Sequence, residues 1–284
     1  MNKKYNALAI TKKVLGQGLI YIQLIIVAII VIYPVLWVIG TAFNPVNSIS
    51  RASIIPEGAT LDNFRRLFDE TRYASWYRNT LYVASLTMFF AVVLNTLTAF
   101  VFARFKFRGR KSGLLAVMIL QAFPSFMGLI ALYMIALNFG MLNNHNMLVI
   151  IYVGGSIPGS IWLVRGNMLN LPKSLDEAAY IDGASKLQVF TKIILPLSVP
   201  IISFIALTAF MAPWMDFILP RFLISRSEYL TLGVGLFDMI NDHRVQFTTF
   251  SAGALLIAVP ITLLFVVSQK FLISGIASGA NKGE

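Results

Sequence analysis

The sequence predicts an all-α membrane protein with six transmembrane helices, and three observations predict it. The chain of 284 residues is 57% hydrophobic and only 12% charged, whereas soluble domains carry about a quarter charged residues. So apolar a chain would leave large apolar patches exposed as a water-soluble globule, and a bilayer is its natural solvent. A helix needs about 20 mostly apolar residues to cross a bilayer, and six stretches meet that length: 18–42, 78–103, 113–137, 147–169, 197–218 and 250–273. Finally, the basic residues gather in alternate gaps between these stretches, as charges that set membrane orientation do.

Span one begins LIYIQLIIVAII at Leu19 and follows Lys3, Lys4, Lys12 and Lys13. That run is too long for the core of a cleaved signal peptide and has no clear small-residue cleavage site, so an uncleaved first helix is expected. A loop of mixed charge over 44–77 follows. Tyr73, Trp76 and Tyr77, at its junction with span two, read as an interfacial aromatic belt. After span two comes RFKFRGRK, with Arg104, Lys106, Arg108, Arg110 and Lys111. Span three leads to the uncharged turn NFGMLNN. Span four holds Gly154, Gly155, Pro158 and Gly159, read as sites of close helix packing or as a flexing point. Arg165 near its end, then Lys173, Lys186 and Lys192, place positive charge in the next loop. Spans five and six flank a longer loop over 219–249.

With six spans, the amino terminus and the two basic loops share one side. The positive-inside rule makes that side the cytoplasm, with both termini in it. No repeat or low-complexity tract divides the chain, so residues 1–284 read as one membrane domain. The net charge of +11 lies between apolar runs rather than on one soluble face, and nucleic acid is not an expected partner. There is no cysteine, hence neither a disulfide framework nor thiolate chemistry.

The loop between spans four and five, 174–196, carries the most specific pattern. It reads SLDEAAYIDGASKLQVFTKIILP. Ser174 stands before Leu175, Asp176 and Glu177, so a helix capped by Ser174, with Glu177 closing a capping box, is expected. Ala178 and Ala179 are small enough to let another surface approach. Gly183 can take the positive φ that turns the chain after a short helix. Residues 185–195 then form a second helical segment, and Pro196 and Pro200 mark the start of span five.

Glu177-Ala178-Ala179, Gly183, and then Ile193, Leu195 and Pro196 reproduce the spacing of the EAA loop, and the chain resembles the permease subunits of ABC importers. Tyr33-Pro34, SIIPEGATLDNFRRLF, YLTLGVGLF and the tail GIASGANKGE extend the resemblance to MalG-type permeases of maltose and maltodextrin importers. The resemblance implies a type I ABC-importer (MetI-like) fold in the cell membrane. It implies that Glu177, Ala178, Ala179, Gly183, Ile193, Leu195 and Pro196 form a coupling loop docked in a cleft of the ATPase. It further implies a transport subunit and not an enzyme. The expected partners are a second, MalF-like permease, two ABC ATPase subunits and an extracellular sugar-binding protein. No cofactor is expected on this chain; ATP and magnesium belong to the ATPase subunits, and no GxxxxGK[ST] phosphate loop occurs here. Maltose or maltodextrin is the expected cargo, with galacto-oligosaccharides or another oligosaccharide as the alternative.

Sugars present hydroxyls that need hydrogen-bond partners and C–H faces that favour aromatic rings. Inside the spans Asn95, Gln121, Trp162, Asn167, Trp214 and Asp216 are candidates for the translocation path, or for helix–helix hydrogen bonds and packing. Asp216, the sole acidic residue in or beside a span, reads either as an interfacial residue or as part of the cavity lining. His145 and His243 lie in outward loops without companion ligands, so no metal site is expected. An ion-driven secondary transporter would be expected to carry intramembrane charges or inverted repeats, and an intramembrane enzyme a nucleophile and base. The sequence offers neither set.

Overall fold

A computed structural model describes residues 2–46, 53–122, 125–241 and 247–280, and among the described residues every regular element is a helix. The chain divides into two units, one made of 1–71 and 242–256 and the other of 72–241 and 257–284.

In the first unit, α1 (Asn2–Ala42) is apolar enough to span a membrane from Leu15 onward, and residues 15–36 are exposed along it. A helix apolar all round and unburied within its own chain suits lipid or a neighbouring subunit. Its end is anchored by α2 (Asp62–Glu70): the Asn63 side chain donates to the carbonyls of Ala42 (2.9 Å) and Asn44 (2.8 Å), and Phe43 packs on Phe64. Helix α2 is strongly amphipathic and buries Leu67.

The second unit is built on α3 (Tyr73–Arg104), α6 (His145–Leu169) and α10 (Val199–Met215), which pack on one another. Where the sequence predicts span three over 113–137, there are two helices, α4 (Arg110–Ala122) and α5 (Leu129–Asn138), the second preceded by a 3-10 turn at Ser125–Gly128. Residues 123–124 of that stretch lie outside the described residues. Among the described residues four single helices meet the length and composition of a span, and counting α4–α5 and the bent pair before and within α10 brings the total to six. The second bend has a clear cause. Helix α8 (Lys186–Val189), a π turn at Phe190–Ile194 and α9 (Leu195–Leu197) run together as Lys186–Leu197, which meets α10 at 80°. Pro196 and Pro200 lack the N–H groups that would carry the α-helical ladder through this point. Span five thus starts after the bend, and its helix ends at Met215, short of the predicted 218.

The N-terminal end of α3 is tied to the segment before α12 (Leu232–Asn241). Asn79 donates to the carbonyls of Glu228 and Leu230, and the Leu232 N–H donates to the Thr80 hydroxyl at 2.7 Å. Tyr73 and Trp76 are buried here, the Trp76 ring lying where a side chain on Gly235 would stand. They are packing residues, not a lipid-facing aromatic belt. The glycines of α6 also differ from expectation: a Cβ on Gly154 or Gly155 would meet nothing within 4 Å. These two leave space open among the described residues, whereas a Cβ on Gly159 would meet Gln121 Nε2 at 3.8 Å. His243 and the last residues of the tail, 281–284, lie outside the described residues.

Candidate coupling loop and central cavity

The loop after α6 opens with α7 (Ser174–Ile181). Its first turn begins before Ser174. The Leu175 N–H donates to the Pro172 carbonyl, and those of Asp176 and Glu177 donate to the Lys173 carbonyl. Ser174 is therefore inside the helix, and the expected Ser174–Glu177 capping box does not form. The capping box stands one helix later: the Gln188 N–H donates to Ser185 Oγ, and the Ser185 N–H donates to Gln188 Oε1 at 2.7 Å. Gly183 lies between the two helices at φ +83°, with its N–H bonded to the Tyr180 carbonyl and that of Ala184 to the Ala179 carbonyl. This is a Schellman turn, which calls for a left-handed residue after the helix.

Asp176 points inward from α7. Its Oδ2 lies 2.8 Å from Arg104 Nε at the end of α3, and the two side chains are only 9% and 5% exposed. Arg104 Nη2 also donates to the Leu171 carbonyl at 3.2 Å. The close Nε–Oδ2 approach is not aligned as a hydrogen bond, and Arg104 Nη1 and Asp176 Oδ1 have no hydrogen-bond partner among the described residues. The pair is held by charge in a poorly solvated place. Burial pushes the Asp176 carboxyl above its ordinary range; Arg104 pulls it back and Glu177 adds to the rise.

The rest of the loop divides into root and face. Ala179, Ala184, Ile193 and Leu195 pack against a core of Phe100, Val164, Met168, Val189, Phe190 and Ile194. Glu177, Ala178, Gly183 and Pro196 are exposed. So are Leu175, Tyr180 and Leu187, and Ile181 is 86% exposed. A short rigid helix with a buried charge on one side and exposed apolar groups on the other is shaped to receive another surface.

A cavity of about 620 Å³ lies among α3, α5, α6, α10 and α11 (Ile218–Leu223). Leu129, Ile151, Leu163 and Phe204 contribute apolar walls; Thr87, Tyr152, Ser156, Ser160, Thr208 and Asp216 contribute polar groups. Asp216 caps the break after α10. The Ile218 and Leu219 N–H groups donate to its Oδ1 at 2.9 and 3.3 Å, and the Tyr152 hydroxyl donates to its Oδ2 at 2.9 Å.

The structure does not bring the predicted path residues together. Asp216 lines the cavity. Asn95 is fully buried behind the lining, its Nδ2 donating to Ser156 Oγ at 3.1 Å. Trp214 is buried against Tyr77 and Phe210. Gln121 on α4 and Trp162 on α6 are exposed and outside the lining, and Asn167 lies further along α6.

The family described as binding-protein-dependent transport system inner membrane component matches residues 91–278. The chain belongs to this family. It is 42% identical to the galactooligosaccharides transport system permease protein GanQ of Bacillus subtilis, over 93% of this chain and 94% of that one. It is 41% identical to the maltodextrin transport system permease protein MdxG of the same organism, over 97% and 99%. Its fold is also similar to a chain of a bacterial ABC transporter involved in the import of the acidic polysaccharide alginate, with a TM-score of 0.79, 20% identity, and 92% and 97% of the two chains covered.

In this inner-membrane transport component, the matched region takes in the whole loop 174–196 and all of the cavity lining except Thr87. The polar lining residues that sequence reasoning missed had a signal. Tyr152, Ser156 and Ser160 recur every fourth residue in α6, with Gly155 and Gly159 beside them. That spacing puts them on one helix face, and the small neighbours leave that face open.

Proposed function

We propose that this chain is one of two permease subunits in an ATP-driven importer of maltodextrins, and that α7 is its contact with a separate ATPase. The observation that carries the reading is the two-sided build of α7. Its inner side is rooted by Asp176 on Arg104 and by Ala179 in the core, while Glu177, Ala178 and Ile181 are exposed. A docked ATPase covers those exposed groups, and Ala178 lets its surface come close. ATP and magnesium are held on the ATPase subunits. Their closure displaces α7, and the displacement passes through Asp176–Arg104 into α3 and through the core residues Val164 and Phe190 into α6 and the helix leading to α10. These are the helices that border the cavity, so the loop's movement opens and closes a path for cargo.

On this reading, loop and termini are cytoplasmic, and an extracellular binding protein delivers sugar to the opposite face. The second permease supplies the other side of the path. In the cavity, Tyr152, Ser156, Ser160, Thr208 and Asp216 bring polar groups among apolar side chains. Such groups beside apolar walls suit a sugar's alternation of hydroxyls and C–H faces. Maltodextrin follows from the relatives that carry that name over nearly the full chain. A galacto-oligosaccharide is the second reading, favoured by the similarity to the Bacillus galactooligosaccharide permease.

The test reconstitutes the importer with its partner subunits and binding protein and replaces Ile181 by Asp. Transport and the stimulation of ATP hydrolysis by loaded binding protein should fall together, while the two permeases remain assembled. Unchanged stimulation with normal assembly would remove α7 from the contact. Competition of labelled maltotriose uptake by unlabelled maltotriose or galactobiose decides the cargo.

A further inference from the structure

A second cavity, of about 520 Å³, lies at the end of the second unit that bears the α7 loop. It is lined by Lys106, Phe107, Arg110, Lys111, Leu114 and Arg165, among others. Its cations are placed by the fold. The Phe102 carbonyl at the end of α3 accepts from Arg110 Nε at 3.0 Å and from Arg165 Nε at 3.1 Å, so guanidinium groups from α4 and α6 are held side by side on one oxygen. Arg110 Nη2 reaches the Ala103 carbonyl as well. Lys106 and Lys111 face the same space. None of the four forms an ion pair with a carboxylate of the described residues. Like charges gathered in one cleft repel unless an anion joins them.

The surroundings decide what kind of anion. Helix α4 starts at this cavity and buries none of its own residues; Leu115, Met118, Ile119 and Leu120 are all more than half exposed along it. Phe107, 43% exposed, stands at the cavity rim. A ligand that fits both parts has an anionic head among the cations and an apolar chain along α4. Guanidinium groups pair with the oxygens of phosphate as they do with those of a carboxylate, and among membrane components it is the phospholipid headgroup that joins such an anion to apolar chains. The geometry points to a binding site for the phosphodiester headgroup of an anionic phospholipid, formed by Lys106, Arg110, Lys111 and Arg165 with α4 as the acyl track. Basic pockets between spanning helices on the cytoplasmic side hold acidic headgroups in this way. The site is independent of which sugar is carried. Filled, it would join the ends of α3 and α6 beside the Arg104–Asp176 pair.

The test purifies the importer with its co-assembled subunits and measures retained lipid by native mass spectrometry after exchange into phosphatidylglycerol or phosphatidylcholine. The wild type should retain phosphatidylglycerol in preference to phosphatidylcholine. The double variant Lys106→Gln/Lys111→Gln removes two exposed cations that make no hydrogen bond among the described residues, and leaves the helix-capping arginines in place. It should bind phosphatidylglycerol about thirty-fold more weakly, the attraction expected of two lysines at a membrane surface. Lys192→Gln, which removes a cation of the α7 loop away from the cavity, should bind as the wild type does. Equal retention of both lipids by the wild type overturns the proposal without reference to any variant. So does an unaffected double variant, or an equal loss in Lys192→Gln, which would mean diffuse surface charge. Displacement of the lipid by millimolar inorganic phosphate would assign the site to the free ion and overturn the lipid assignment.

Discussion

The Arg104–Asp176 pair makes a prediction whose size the structure itself bounds. Two ion pairs of nearly equal length occur in the second unit: Arg104–Asp176 at 2.8 Å, with side chains 5% and 9% exposed, and Arg221–Asp238 at 3.0 Å, with side chains 48% and 38% exposed. Coulomb attraction at equal distance differs only through the surroundings. Removing one member of an exposed pair costs about 0.2–1 kcal/mol. Removing one member of a buried pair leaves the other charge unsolvated and costs about 3–5 kcal/mol. Asp176→Ala is therefore expected to destabilise the chain by several times as much as Asp238→Ala. Arginine has no neutral state to retreat to, so Arg104 must remain charged among Leu171 and the α7 backbone.

The assay is equilibrium unfolding of the full chain in mixed micelles, for each single variant and for the double replacement Arg104→Met/Asp176→Leu. The pair already bears a large desolvation penalty, so replacing both members by apolar groups of similar size should restore most of the loss. The interaction energy from the double-mutant cycle should exceed about 2 kcal/mol. Two results would refute the reasoning: a cost for Asp176→Ala as small as that for Asp238→Ala, or a double variant losing the sum of the singles. Either means that solvent reaches the pair and that α7 is not rooted by it.

The same loop and the packing of α12 on α3 carry further predictions. Gly183→Val forces a β-branched residue to φ +83° in open space, a backbone cost of about 1–2 kcal/mol. Gly183→Asn should retain more of the ATPase stimulation than Gly183→Val. In Gly235→Ala the new Cβ would overlap the Trp76 ring. Overpacking of about 1–3 kcal/mol is expected as a lower melting temperature, partly recovered by adding Trp76→Leu.

The sequence shows the spans because a bilayer demands long apolar runs, and the loop because its pattern is dense and local. What it hides depends on contacts between distant residues. Arg104 reads as one more orienting charge until Asp176, on another loop, is folded against it. Tyr73 and Trp76 have the composition of a belt, yet the fold buries both, Trp76 against Gly235. Ser174 and Ser185 both begin an S-x-x-E/Q pattern, yet the Pro172 and Lys173 carbonyls take the first N–H groups of α7 and draw Ser174 into its helix. The cavity residues are hidden for another reason. Tyr, Ser and Thr on an apolar helix do not lower its hydropathy enough to stand out, so attention falls on Asn, Gln, Trp and Asp, most of which the fold uses elsewhere.

Asp216 is where this distinction bears on mechanism. Its position at the edge of span five is where an ion-driven transporter would place a coupling carboxylate, whereas the proposed coupling through α7 does not call on it. Its hydrogen bonds favour the second role. Oδ1 accepts from two backbone N–H groups and Oδ2 accepts from Tyr152, so its work is to end α10 and start α11 at the cavity wall. An asparagine does that work without charge. Its oxygen still accepts from Ile218 and Leu219, and its amide donates to the Tyr152 hydroxyl, which is acceptor as well as donor. Asp216→Asn should therefore transport within a few-fold of wild type, while Asp216→Ala loses the cap, worth about 0.5–2 kcal/mol, and transports less through an unstable cavity wall. The measurement is sugar uptake into vesicles holding the whole importer, with ATP supplied and ion gradients collapsed. If Asp216→Asn abolishes uptake while the fold persists, the carboxylate charge itself takes part in transport, and the assignment of coupling to α7 alone is wrong.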